Sequence, residues 1–330
     1  MNQRTVVITG ASAGIGRATA IAFARLGWNV GLIARGREGL ESAQRDVEQA
    51  GGHGLIVPVD VADADAVFAA ADQVVAECGS IDVWINDAMA TIFAPVKDIR
   101  PEEFRRVTEV TYLGQVHGTM AALKHMRPHD QGTIVQVGSA LSYRAIPLQS
   151  AYCGAKFAIR GFTDALRSEL RHERSRIRLT MVQLPAVNTP QFDWARSRLP
   201  RKLQPVPPIY QPEAIAREIV RAAREAPREL WIGTPALKAI FGAMVLPLLG
   251  DRILASEGYT GQMTAELAAS DRPDNLFEPV NGDPGVHGRF NRSARGDVTA
   301  FDPVRLRPAL ALGIIAGLAG LVALARSRRV

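Results

Sequence analysis

Short apolar, β-branched runs alternate along this chain with longer segments whose apolar residues recur at helical spacing. Thr5–Ile8, Asn29–Ile33, Gly54–Val59, Ile81–Asn86, Thr133–Val137, Arg178–Gln183 and Glu229–Ile232 read as strands. Between them, Arg17–Leu26, Gly39–Ala50, Asp63–Cys78, Pro101–Met126, Ser150–His172 and Pro212–Ala226 read as helices. Runs such as "TVVI" and "TIVQV" are almost wholly apolar, as strands covered on both faces must be. The pattern predicts an α/β fold: a doubly wound, parallel sheet of about seven strands with helices on both sides.

Two stretches depart from the alternation. Leu184–Tyr210 is long and carries prolines at 185, 190, 200, 205, 207 and 208, which marks a lid-like loop. After Ile232 the strand–helix rhythm stops, so the organised domain is read as residues 1–235. Residues 236–269 read as an apolar helical extension. Residues 270–304, rich in Gly and Pro and without periodicity, read as a flexible linker. Residues 305–330 close the chain, and Ala309–Ala325 holds no polar side chain. As a helix this apolar stretch would span roughly 26 Å, close to a hydrocarbon core of about 30 Å. Arg305 and Arg307 before it and Arg326, Arg328 and Arg329 after it can reach the two interfaces. The expectation is a C-terminal membrane anchor formed by a hydrophobic tail helix.

Charge changes this picture little. Of the net charge of +6, seven arginines against two aspartates from Asn291 onward supply +5. A basic tail is not a basic domain, and nucleic acid is not expected as a partner. Cys78 and Cys153 make no disulfide framework or metal-ligand spacing. His125 and His129 stand at helical spacing with Pro128 between them, and no metal site is expected. The N-terminus enters strand 1 almost at once, leaving no room for a signal peptide. The expected location is cytoplasmic, on the inner face of a membrane.

Strand 1 runs into "TGASAGIGRATA", placing Gly10, Gly14 and Gly16 between a strand and an amphipathic helix. Glycines there permit a tight turn and close approach of backbone N–H groups to a phosphate, in the Rossmann manner. At the end of strand 2 stands Arg35, where an acid would favour NAD and an arginine suits the 2′-phosphate of NADP. The cofactor reading is therefore NADP rather than NAD. Asp60 closes strand 3 at the carboxyl edge and is expected to line the adenine pocket.

Ser139 ends the fifth strand, and Tyr152 and Lys156 lie one helical turn apart in "SAYCGAKFAIRG". With the glycine turn and the strand-end Asn86, these residues resemble the short-chain dehydrogenase/reductase family over about residues 4 to 235. The resemblance implies an oxidoreductase acting on a carbonyl/alcohol pair. In it Tyr152 serves as acid and base, Ser139 holds the substrate oxygen, and Lys156 lowers the tyrosine pKa and binds the nicotinamide ribose. It implies further cofactor contacts from Ser12, Ile15, Val61 and Ala88, with Pro185 shaping the turn after strand 6 and Thr189 bonding the carboxamide.

Departures stand beside the likeness. The family's Asn-Asn-Ala-Gly after strand 4 is here Asn86-Asp87-Ala88-Met89, and Thr111 replaces the asparagine that helps hold a water behind the lysine. Thr111 is thus a candidate relay residue of shorter reach. Phe192, Trp194 and Tyr210 in the lid and the apolar Leu237–Leu249 point either to a hydrophobic substrate or to a hydrophobic homo-oligomer surface. The competing function is a non-catalytic NADP-binding sensor or membrane scaffold that retained the fold.

Overall fold

The computed structural model describes residues 3–245, 247–269 and 272–305. Its centre is an eight-stranded sheet built from β1 (Thr5–Thr9), β2 (Asn29–Ala34), β3 (His53–Pro58), β4 (Val83–Asn86), β5 (Thr133–Ser139), β6 (Arg178–Leu184), β7 (Glu229–Ile232) and β8 (Ala300–Phe301). The spatial order is β3-β2-β1-β4-β5-β6-β7-β8. All neighbours pair in parallel except β8, which runs antiparallel to β7 through Trp231–Phe301 and Ile232–Ala300. The expected seven strands are present, and β8 adds an eighth from a region read in sequence as linker. Strand order reverses at β1 and β4, so the crevice beyond their carboxyl ends is where such a sheet takes a ligand.

Alternation along the strands feeds two apolar layers. Val6, Ile8, Val30, Leu32 and Ile85 pack with Phe23, Leu40 and Ile215 from α1 (Gly14–Ala24), α2 (Arg37–Gln49) and α7 (Pro212–Glu225). On the other face Val7, Ile33 and Trp84 pack with Val67 and Val74 of α3 (Ala64–Cys78), Ala121 of α5 (Gly114–Met126) and Leu166 of α6 (Ser150–His172). The segment Pro101–Met126 expected as one helix is α4 (Pro101–Thr108), a π-helical turn over Glu109–Leu113, and then α5. Such π turns insert a residue into a helix and frequently sit at functional sites. The apolar extension forms α8 (Thr234–Val245) and α9 (Pro247–Thr260).

The proline-rich loop is fastened rather than loose. Its strand Ile209–Tyr210 pairs in parallel with Ala186–Val187 on one side and Ala294–Arg295 on the other. Glu103, fully buried on α4, accepts hydrogen bonds from Arg196 at 3.0 Å and Arg198 at 2.7 Å. Burial alone would raise the Glu103 carboxyl, but hydrogen bonds from Arg198, the Arg100 N–H and Arg196 hold it down at about 2.

Residues 272–304 differ from the sequence expectation of a linker. Backbone carbonyls and amides, which composition does not reveal, tie them to the rim of the sheet. Among the described residues no helix is long and apolar enough to cross a membrane, and the anchor expected at 309–325 lies outside them.

Candidate active site

The turn from β1 into α1 is shaped by its glycines. Gly10 has φ +76°, and a Cβ there would lie 2.9 Å from the Cα of Ala88. A Cβ on Gly16 would lie 2.3 Å from the Gly10 carbonyl oxygen. Alanine is excluded at both positions by backbone atoms, which cannot swing away. The residue before α1, Ala13, offers no side-chain cap, and the first turn carries no acid. The leading N–H groups of the helix thus find no acceptor in the capping residue, and the Gly14 N–H donates instead to the Gly285 carbonyl at 3.1 Å.

Two cavities flank this turn. The smaller, of about 130 Å³, is lined by Gly10, Ser12, Arg35, Asp60, Val61 and Ala88. It brings together six of the residues assigned from sequence to the cofactor, Arg35 and Asp60 of them to its adenosine side. The Asp60 carboxylate accepts from the Ala62 N–H at 3.0 Å and from Arg106. The larger cavity, of about 360 Å³, holds Ser139, Tyr152 and Lys156 together with Ile15, Pro185 and Thr189. Met89 lines both cavities, so the side chain replacing the family's glycine stands where they adjoin. Thr189 packs over the glycine turn, its Cγ2 being 3.0 Å from where a Cβ on Gly14 would stand.

In the larger cavity, Ser139 closes β5 and its hydroxyl accepts from the Leu141 N–H at 3.1 Å, which fixes its direction. The Ser139 hydroxyl and the Tyr152 phenol line the same cavity. Lys156, only 2% exposed, donates to the Val137 carbonyl at 2.7 Å, and its Nζ lies 5.5 Å from the Tyr152 ring centre. Withdrawal from water pushes the Tyr152 phenol above its ordinary value, against the opposing influence of the Ser139 hydroxyl. Burial, not the lowering expected from Lys156, sets the direction of the phenol's shift. Burial likewise lowers the Lys156 ammonium and raises the Asp87 carboxyl, while their mutual attraction opposes both shifts. The Gly16 N–H, at the head of α1, draws the Asp87 carboxyl the other way.

Two residues expected at the site are committed elsewhere. Asn86 accepts from the Trp84 indole at 2.8 Å and donates to Thr119 and Gln136 at 3.0 Å each, within a wholly buried amide network. The Thr111 hydroxyl donates to the Ala90 carbonyl at 2.8 Å and accepts from the Ala90 N–H at 2.9 Å. It holds the π turn against the loop after β4, where a relay side chain would need a free hydroxyl. Of the three lid aromatics, Phe192 lines the larger cavity, Trp194 lines the smaller one, and Tyr210 is buried in the core. Sequence reasoning did not assign Asp87, nor Asn275, Pro279, Val280, Gly282 and Pro284, which line the smaller cavity. An acid in place of the family's second asparagine was the signal for the first; the others had none.

A strand–turn–helix phosphate cradle beside a serine, a tyrosine and a lysine in one cavity defines a nicotinamide-dependent oxidoreductase of the doubly wound type. The sequence profile of the short-chain dehydrogenase family matches residues 4–199, and the chain belongs to that family of NAD(P)-dependent oxidoreductases. It is 30% identical over 333 residues to the uncharacterized oxidoreductase YxnA of Bacillus subtilis, covering 99% of this chain and 92% of that one. It is 31% identical to a fatty acyl-CoA reductase of Acinetobacter baylyi over 78% of this chain and 84% of that one. Among solved structures it resembles an alcohol dehydrogenase of the archaeon Thermococcus sibiricus complexed with 5-hydroxy-NADP. That likeness has a TM-score of 0.59 and 29% identity, over 69% of this chain and 95% of that one.

Proposed function

We propose that this chain transfers hydride between NADP(H) and an apolar carbonyl/alcohol substrate. The larger cavity carries the proposal: Ser139, Tyr152 and Lys156 open into a chamber walled by Phe93, Ile146, Leu184, Phe192, Val206 and Ile253. Its volume of about 360 Å³ falls in the range of small-molecule sites. Arg35 at the end of β2 supports NADP over NAD, and a resembling dehydrogenase complexed with 5-hydroxy-NADP supports it further. The kinship with a fatty acyl-CoA reductase supports a substrate with a long or bulky apolar part.

Bound NADPH would supply the hydride. The chain's own residues position and protonate. Ser139 donates to the substrate oxygen, and Tyr152, held protonated by its dry surroundings, delivers its proton to that oxygen during reduction. In the oxidative direction the tyrosine must first lose that proton, which the Lys156 ammonium favours. Gly10, Gly14 and Gly16 shape the turn that would take the pyrophosphate, with Ser12 and Ile15 beside it, and Asp60, Val61 and Ala88 would border the adenosine. Lys156 and Thr189 would orient the nicotinamide half. The test is oxidation of NADPH, against NADH, with a panel of apolar ketones, aldehydes and quinones; no turnover with any of them would favour a non-catalytic binding protein.

Self-association belongs to the same reading. Phe104, Leu113, Met120 and Phe157 on α4 to α6 are exposed by 36–50%. Light scattering on the purified protein should give at least a dimer. The tail reading of a membrane anchor at 309–325 rests on sequence alone.

A further inference from the structure

Residues 274–290 lie across the cofactor edge of the sheet and occupy its polar groups one after another. Arg35, the residue assigned to the 2′-phosphate, donates to the carbonyls of Asn275 and Phe277, the latter at 2.7 Å. Arg106 donates to the Leu276 carbonyl at 3.1 Å, and the Leu276 side chain is fully buried. Glu38, in the first turn of α2, accepts the Gly282 N–H at 2.6 Å. Asp283 pairs with Arg17 of α1. The Pro284 ring sits against Gly39 beside Ser12. The Gly14 N–H at the head of α1 donates to the Gly285 carbonyl at 3.1 Å.

We propose that this segment is an autoinhibitory strap: Asn275, Phe277 and Gly285 put backbone carbonyls on Arg35 and Gly14, the groups that would receive the phosphates of NADP(H), so the strap and the cofactor compete for one edge. The inference rests on the cofactor reading above. What remains open beneath the strap is about 130 Å³, well below the roughly 300–1,000 Å³ of small-molecule sites. The cofactor therefore enters by displacing the strap.

The strap is built to lift without unravelling the domain. Its ends are pinned outside the phosphate edge. Asp274 bonds Arg196 at 2.8 Å, and the Asn275 N–H donates to the Trp194 carbonyl at 3.0 Å. At the other end the Gly288 N–H donates to the Asn188 carbonyl at 3.2 Å and the Phe290 N–H to the Asn188 side chain at 3.0 Å. Between these pins, Gly282 and Gly285 hold positive φ, with open space where a Cβ would stand. Most of the intervening contacts are single polar bonds at a wet rim, the kind that opens at low free-energy cost. A closed fraction then weakens apparent affinity in proportion, because only the open form binds.

Limited digestion of the full-length protein with endoproteinase Asp-N tests this, reading cleavage before Asp283, between the pins, by mass spectrometry with cleavage before Asp297, outside them, as an internal control. Saturating NADPH should speed the Asp283 cut several-fold while leaving the control unchanged. In parallel, Leu276→Ala removes the strap's apolar anchor without altering any charge near the phosphates. Its NADPH dissociation constant, read by fluorescence titration, should fall by roughly fivefold; Asp283→Ala is a second loosening variant should the first not fold. An unchanged or slower Asp283 cut with NADPH, or an unchanged or weaker affinity in the loosened variants, would overturn the strap as a competitor. Failure of wild type and variants alike to bind NADPH would instead overturn the cofactor reading, and the strap with it.

Discussion

Asp87 and Lys156 are opposite charges lining one cavity, and each relieves part of the burial that displaces the other's protonation. Tyr152 lies in the same field, and the Asp87 carboxylate raises its phenol further. Asp87→Asn removes that contribution while keeping the side chain's size. The pH of half-maximal alcohol oxidation, where the phenolate is required, should move down. An unmoved or upward-shifted profile would separate Asp87 from the acid–base chemistry.

Tyr152→Phe deletes one hydroxyl and keeps the ring. Turnover should drop by roughly 10²–10⁴, the usual share of general acid–base catalysis, with NADPH affinity within about twofold of wild type. Full retained turnover in steady-state kinetics would take the proton from some other group.

Arg35 has two tasks here, the cofactor's 2′-phosphate and the carbonyls of Asn275 and Phe277. Arg35→Asp therefore loosens the strap for every nucleotide while repelling only the one with the extra phosphate. The discriminating quantity is the ratio of NADPH to NADH dissociation constants, which should rise by about 10- to 100-fold. A wild type that prefers NADH would contradict the reading of β2.

Thr111→Val leaves both the N–H and the carbonyl of Ala90 without their buried partner. Urea unfolding should show a loss of about 2 kcal/mol, and Thr111→Asn should recover much of it. A fall in turnover per folded molecule without any loss of stability would restore a relay role to the hydroxyl.

Deleting residues 306–330 removes the apolar tail and leaves every described contact in place. If 309–325 anchors the chain, the shortened protein should pass from the membrane pellet to the supernatant with NADPH binding intact. A full-length chain found wholly in the supernatant without detergent would end the anchor reading.

The seven parallel strands were legible because a strand covered on both faces is rich in apolar residues, as Ile134, Val135 and Val137 are in the wholly buried Thr133–Ser139. Tyr152 and Lys156 were legible for a similar reason: helical spacing alone brings them to one face. Asn86 misled, because its amide partners Gln136 and Thr119 come from other elements and only the topology reveals them. The strap was illegible for a deeper reason. Its bonds to Arg35 and Gly14 use main-chain carbonyls, which every residue possesses, so its Gly- and Pro-rich composition reads as slack chain. The eighth strand is two residues long and pairs with a partner far back in sequence, with no periodicity to announce it.

That short strand has a bearing on how the molecule behaves in a crowded cell. Without Ala300–Phe301, the outer rim of β7 at Trp231 and Ile232 would present unpaired main-chain donors and acceptors to any passing extended chain. The Thr299 carbonyl, which takes the Gly233 N–H at 2.8 Å, continues the same seal by one residue. A chain cut before Thr299 would keep its Tyr–Lys pair yet gain a sticky margin, recruiting copies of itself edge to edge.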